Sequence, residues 1–376
     1  MPLRLLIVPD KFKGTLSAAK AARAIARGWS RARRGDTVEL LPISDGGDGF
    51  GETLGRLLDA RVQRTRTVDA AHRPCVAQWW WQAETKTAII ESARVIGLAM
   101  LPPGNFHPFE LDTFGLGAVL LAARRKGARR MIVGIGGSAT NDGGFGLARA
   151  LGWRFLNGSG RELERWTELD QLARVLPPRR TRLFKSLTVA VDVRNPLLSP
   201  RGATRIYGPQ KGIRPQEFAV AERKLRRLAR VSRNFGGQDF AARPGAGAAG
   251  GLGFGLLAFA GARLESGFEL LARCARLAQR MRTADVVVTG EGAMDDSTLM
   301  GKGAGRVAEM CRKLRIPCIG LTGVITPSPR LCQRFVQLHA LTRLTTADEA
   351  KANAALWLER LAARAAARWE TSPCES

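Results

Sequence analysis

Histidine is nearly missing from this sequence. His72, His107 and His339 are the only three in 376 residues. A histidine-centred triad or a zinc site therefore has few parts to draw on, and acid–base work falls to carboxylates and lysines. The six cysteines, Cys75, Cys274, Cys311, Cys318, Cys332 and Cys374, form no C-x-x-C pair and have no histidine set beside them. That spacing excludes a zinc ribbon and a redox dithiol, and it fits a reducing cytoplasm. Acid is scarce as well, with 33 Asp and Glu against 59 Lys and Arg, a formal charge of +26.

Long apolar runs are absent at the N-terminus, where MPLRLLIVPD offers Leu5 to Val8 before Pro9 and Asp10. This is too short for a signal-peptide core and reads as a first strand. Between Arg243 and Arg263 no charge intervenes, a length that could span a bilayer, but the first half is almost all Gly and Ala. It predicts a buried glycine-rich loop running into a core helix, and no membrane partner. Nucleotide signatures are missing too: Gly301 and Lys302 lack the upstream glycine of a Walker A loop, and no protein-kinase catalytic loop or D-F-G occurs.

An excess of positive charge would suit nucleic acid or anionic small ligands. The basic groups at 31–34, 123–130, 223–230 and 360–368 mostly alternate with apolar residues at helical spacing. They read as solvated helix faces, without the interleaved aromatics of an RNA-binding module, so no specific nucleic-acid partner is expected.

Strands and helices alternate along the chain. Apolar strands are predicted at 3–9, 37–43, 284–290, 317–323 and 335–341, with helices at 15–29, to about 58, at 301–314 and at 347–369. Short links between them imply parallel pairing and a five-stranded doubly wound sheet. The middle of the chain differs, with an aromatic hairpin over 76–93 and further strands at 130–137 and 187–193. The expected organisation is α/β: residues 1–65 and 276–376 form one domain, 66–275 a mixed α/β domain inserted into it, and the cleft between them takes a small ligand.

Glycine, in contrast, is concentrated. IGGSATNDGGFG, Ile135 to Gly146, follows a strand and precedes a helical segment. Successive N–H groups of Gly136, Gly137 and Ser138 at a helix start predict a nest for an anion, with Thr140 beside them and Asn141 and Asp142 orienting a ligand hydroxyl or a metal. The alternative is a turn whose glycines serve close packing. Gly134 to Ala139 also fits a loose dinucleotide fingerprint, but the confirming acid some twenty residues on falls in the turn-like FLNGSGRELERW. A second loop, PGAGAAGGLG, holds Gly247, Gly250 and Gly251.

Charged loops follow the other strands. PDKFKGTLS brings Lys11 and Lys13 to the end of strand one, and SDGGDG brings Asp45 and Asp48 to the end of strand two. AVDVRNPL carries Asp192, YGPQKG Lys211, and TGEGAMDDSTLMGKG Glu291, Asp295 and Lys302. Open α/β sheets bind ligands at the carboxyl ends of their strands. Lysines and nests for phosphate, carboxylates for magnesium and one carboxylate to accept a hydroxyl proton are the parts of phosphoryl transfer, so the set reads as a small-molecule kinase.

Taken in order, PDKFKGTLSA, SDGGDG, GIGGSATNDGG, DVRNPL, GPQKG, PGAGAAGGLG and GEGAMDDSTLMGKG resemble the bacterial glycerate kinases that share neither Walker nor protein-kinase motifs. The resemblance runs from residue 2 to about 365. It implies a flavodoxin-like domain with an inserted domain, and ATP- and magnesium-dependent phosphorylation of D-glycerate, usually at the 2-hydroxyl and otherwise at the 3-hydroxyl. Arg194, Ala293 and Val324 depart from the usual pattern. Asp192 or Asp295 is then the candidate base, and Lys13 and Lys211 neutralise anionic charge with Lys11 and Lys302. Asp45, Asp48 and Glu291 are magnesium candidates, and the two glycine loops cradle phosphate or glycerate oxygens. A homodimer is allowed. A kinase of another small hydroxy acid, an NAD(P)-dependent oxidoreductase and a basic nucleic-acid-binding protein are the alternatives.

Overall fold

Leu5 to Val8 are each 1% exposed or less, an unbroken apolar run that suits a strand covered on both faces. A computed structural model describes residues 1–44, 46–47, 49–233, 238–299 and 303–369, and there this run is β1 (Arg4–Pro9). The other strands follow in order: β2 (Thr37–Leu40), β3 (Arg61–Val68), β4 (Pro74–Gln82), β5 (Thr87–Glu91), β6 (Arg130–Gly134), β7 (Arg154–Leu156), β8 (Arg174–Leu176), β9 (Ser186–Ala190), β10 (Arg263–Glu265), β11 (Val286–Met294), β12 (Cys318–Ile325) and β13 (Gln337–Ala340). Two units result, Met1–Asp45 with Leu271–Ser376, and Gly46–Leu270.

The first unit is built on a five-stranded sheet of order β13-β12-β11-β1-β2, with every neighbouring pair parallel. Alternation along the strands sends Leu5, Ile7, Val286, Val288, Ile319 and Leu321 to one face, against the helices Ala18–Ala32 and Ala354–Arg368. Leu6, Val8 and Val287 are buried on the other, where the helix Gly303–Leu314 packs on β1, β11 and β12. Helices on both faces make the sheet doubly wound, as expected from the sequence. Ser17 caps the first helix by accepting from Lys20 N. A Cβ on Gly28 would lie 2.0 Å from Glu359 O, so glycine is what allows the first and last helices to touch.

The second unit holds a six-stranded sheet of order β10-β9-β6-β5-β4-β3. Its strands β10, β9, β6 and β5 run parallel, while β4 is antiparallel to β5 and β3, which makes the predicted aromatic hairpin. Segment 46–65, grouped by the sequence with the first domain, lies in this unit. Its helix Phe50–Leu57 packs on Trp80, whose ring would be 2.0 Å from a Cβ on Gly51 and 2.5 Å from one on Gly55. The uncharged stretch after Arg243 supplies the buried helix Ala248–Ala260, and no helix of the described residues is long and apolar enough to cross a membrane.

Candidate active site

Because β5, β6, β9 and β10 are parallel, their carboxyl ends share one edge of the second unit's sheet. Glu91 ends β5 at 3% exposure. Its Oε1 accepts from Gly49 N and its Oε2 from Gly51 N, each at 3.0 Å, which places a negative charge at the start of the helix Phe50–Leu57. Arg94 completes the arrangement, with Nε 3.5 Å from Glu91 Oε2 and its guanidinium 5.3 Å from the Trp80 ring centroid. Beside it, Gly136 N donates to Gly46 O at 3.2 Å, and a Cβ on Gly46 would lie 2.9 Å from Ala190 O. Asp192, exposed two residues beyond β9, accepts from Ser266 Oγ at 2.7 Å. Glu91, Gly136, Asp192 and the backbone around Gly46 thus belong to one edge. Glu91 is absent from the sequence-based candidates, although an acid closing the buried run TAII needs donors to compensate its desolvation.

The two glycine loops pack on each other, backbone against backbone. A Cβ on Gly250 would meet Thr140 O at 1.9 Å, one on Gly251 would meet Gly143 Cα at 2.8 Å, and one on Gly255 would meet Gly144 Cα at 2.6 Å. Gly143 N donates to Gly250 O at 3.1 Å. Ala249, Gly250 and Gly251 all adopt left-handed φ, at 56°, 70° and 87°. Gly247 is likewise closed in, 2.2 Å from Pro196 O at its missing Cβ. Close packing therefore accounts for these glycines.

That packing occupies much of the loop read from the sequence as an anion nest. The N–H groups of Gly136, Ala139, Thr140 and Gly143 go to Gly46 O, Ile96 O, Ser138 Oγ and Gly250 O. Only Gly137 is exposed between Gly134 and Gly146. The helix Phe145–Ala150 already has its anion, Asp142, whose Oδ1 accepts from Gly144 N at 3.1 Å and whose Oδ2 accepts from Gly146 N, Thr113 N and Thr113 Oγ1 at 2.7–3.0 Å. Fully buried, and near the charge of Asp112, its carboxyl is pushed up to about 6. With four donors from within the fold, Asp142 holds the loop together.

Next to it, Lys211 donates from Nζ to Thr140 O at 2.6 Å and is 7% exposed. Burial brings its ammonium down to about 7, opposed by the charge of Asp142. Ser138 Oγ and Thr140 Oγ1 lie 3.0 Å apart. Asn141 donates from Nδ2 to Thr204 Oγ1 at 3.1 Å, while its buried Oδ1 has no hydrogen-bond partner among the described residues.

In the first unit, Asp10 and Glu291 stand past Pro9 and Gly290, which are paired across β1 and β11, and are 7% and 8% exposed. Asp10 Oδ1 accepts from Lys11 N at 2.7 Å, and a Cβ on Gly303 would fall 2.6 Å from Asp10 Oδ2, so this carboxylate faces the start of the helix Gly303–Leu314. Lys11 is half-buried and Lys13 exposed. The backbone of Lys13 crosses Gly292, 3.1 Å from its missing Cβ. Asp295 Oδ1 accepts from Ser297 N at 2.8 Å and from Ser297 Oγ, an arrangement that closes the turn into Asp296–Leu299. Lys302, Asp45 and Asp48 lie outside the described residues. Among the described residues no three His, Cys, Asp or Glu cluster as a metal cage. Asp10 and Glu291 do fit magnesium, which typically takes one or two carboxylates and completes its shell with water and phosphate oxygens.

A doubly wound parallel sheet, a second mixed sheet, and carboxylates and lysines at the ends of parallel strands define an α/β enzyme for small anionic substrates. The sequence model described as the Glycerate kinase family matches residues 5–370, and the chain belongs to that family of ATP-dependent kinases. It is 37% identical over 327 residues to a glycerate kinase of Bacillus subtilis, covering 86% of each chain. With a glycerate 2-kinase of Escherichia coli it shares 33% identity over 358 residues, 93% of each. A crystal structure described as a glycerate kinase 2 from Salmonella typhimurium LT2 superposes with a TM-score of 0.84 at 31% identity, covering 98% of both chains. The family places the chain among kinases, in agreement with the main sequence-based expectation and against the oxidoreductase and nucleic-acid alternatives.

Proposed function

We propose that this chain transfers the γ-phosphoryl group of ATP to the 2-hydroxyl of D-glycerate in the cytoplasm, releasing ADP and 2-phosphoglycerate. The family match over residues 5–370 carries the reading. Asp192 is the base: it is exposed at a strand end, and the Ser266 hydroxyl orients its carboxylate. It takes the hydroxyl proton as the glycerate oxygen bonds to the γ-phosphorus and the bond from phosphorus to the ADP oxygen breaks. Lys11, Lys13 and Lys302 offset the charge of the phosphates. Glu291 and Asp10 would hold magnesium, which supplies charge neutralisation at the transferred group, and Asp45 and Asp48 are further candidate ligands. Gly137, the exposed point of its loop, and Asn141 contribute to glycerate positioning. Lys211, Gly250 and Gly251 keep that loop in place, and Asp295 orders the Asp296 turn.

Phosphorus NMR of the product from ATP, magnesium and D-glycerate tests the proposal. A 2-phosphoglycerate resonance growing with ADP is expected, whereas a 3-phosphoglycerate product or no ADP above the protein-free control would overturn it. Light scattering on the same preparation reads whether the active species is a homodimer.

A further inference from the structure

The opposite edge of the second unit's sheet holds a cavity of about 730 Å³, within the range of small-molecule sites. Ser186 and Arg263, the first residues of β9 and β10, line it. The Gly46 and Asp192 backbone belongs to the other end of β9, roughly 15 Å along the strand. Its cationic lining is Arg182, Lys185 and Arg263, and no Asp or Glu is among the lining residues. These three make no side-chain ion pair or hydrogen bond with any described residue. The apolar wall includes Trp153, Phe184 and Phe259, with Trp153 and Phe259 edge to face at 5.2 Å. Among the hydroxyl residues of the lining, Ser232 has its Oγ buried without a hydrogen-bond partner among the described residues.

Three uncompensated cations around an aromatic wall, with an unsatisfied hydroxyl, are complementary to a flat apolar molecule bearing an anionic group. We propose that this cavity is a second ligand site, separate from the reaction, for a small aromatic carboxylate, sulfonate or phosphate ester. The helix Ala248–Ala260 makes such a site consequential. Its left-handed start, Ala249 to Gly251, packs on Thr140 and Gly143, and its far end, Ala258 to Ala260, lines the cavity. A bound anion therefore rests on the same helix that supports the first glycine loop, about 13 Å away along its axis.

Titration of the protein with 8-anilinonaphthalene-1-sulfonate tests the site without requiring turnover, so its outcome is independent of the proposed kinase reaction. One probe per chain is expected, with binding at least tenfold weaker in the double variant Lys185→Glu, Arg263→Glu and unchanged in Lys20→Glu, Arg23→Glu, which carries the same charge change on exposed residues of the helix Ala18–Ala32 in the first unit. Both double variants should retain the wild-type melting temperature. Equal weakening in the two would attribute binding to net charge and overturn the site. So would release of the probe by saturating ATP and glycerate, which would make the cavity part of the reaction centre.

Discussion

Lys211 and Thr140 are joined by a 2.6 Å hydrogen bond from Nζ to the backbone carbonyl, and a Cβ on Gly250 would lie 1.9 Å from that same oxygen. One carbonyl thus anchors a buried ammonium and also forms the floor for the second glycine loop. The contacts are backbone to backbone, so they tolerate little relaxation.

Gly250→Ala therefore adds an overlap to a strained conformation, since φ is +70° there. A loss of about 3 kcal/mol or more is expected, combining overpacking with left-handed strain. Gly104 supplies the comparison, with φ +76° and nothing within 4 Å of its missing Cβ. Gly104→Ala should cost only about 1 kcal/mol, the strain alone. Urea unfolding of both variants reads the difference, and equal losses would contradict the loop-on-loop contact.

The buried pair beside this carbonyl gives stability a dependence on pH. Lys211 titrates at about 7 when folded, against about 10.4 in an unfolded chain. Between those values the unfolded state binds more protons, so this group makes stability rise with pH from about 7 to about 10. Asp142 is raised to about 6, against about 3.9 unfolded. Its contribution is present below pH about 4 and is lost as pH rises through about 6. Lys211→Met should abolish the alkaline rise in chemical-denaturation stability. A variant whose curve still parallels wild type above pH 7 would show that Lys211 is not the group responsible.

What the sequence made legible follows from how each element is buried. LLIV and VVV strands covered on both faces stand out as apolar runs, and the aromatic hairpin stands out by its tryptophans. β3 was missed because Arg61, Arg64 and Arg66 interrupt it: it is an edge strand, and charged side chains are common there because they discourage further pairing. The segment 46–65 groups with its neighbour in sequence, since only tertiary packing shows Gly51 and Gly55 seated on Trp80. The glycine loop posed a subtler problem. Its composition fits an anion nest or a close approach equally well, and the choice depends on a second glycine loop more than a hundred residues later. Asp142 could have signalled the answer, since an Asp three residues before Phe145 is well placed to occupy the helix start itself.

Asp192 and Asp295 were interchangeable as bases in the sequence, but their surroundings separate them. Asp192 is exposed at a strand end, where the Ser266 hydroxyl donates to it, whereas Asp295 is drawn into its own turn by Ser297 N and Oγ. Asp192→Asn should lower kcat by about 10²-fold or more with little change in KM, the effect of removing a general base. Asp295→Asn should cost less than about tenfold and lower the melting temperature instead. Steady-state kinetics with ATP and D-glycerate decide, and the reverse ranking would move the base to Asp295.

Glu91 holds the start of the helix Phe50–Leu57, which follows directly in sequence on the segment where magnesium ligands are proposed. Its two oxygens each take one backbone N–H, from Gly49 and Gly51, and an amide could serve only one of them as acceptor. Glu91→Gln therefore turns an N–H toward another N–H and loses a charge-assisted bond, worth roughly 1.5–3 kcal/mol. A purely structural effect would appear as a lower melting temperature with unchanged kinetics. Loosening of this helix start should also raise the magnesium concentration needed for half-maximal rate several-fold, with kcat at saturating magnesium kept within about threefold of wild type. An unchanged magnesium requirement in a folded Glu91→Gln protein would disconnect Glu91 from the metal-binding role proposed for the preceding segment.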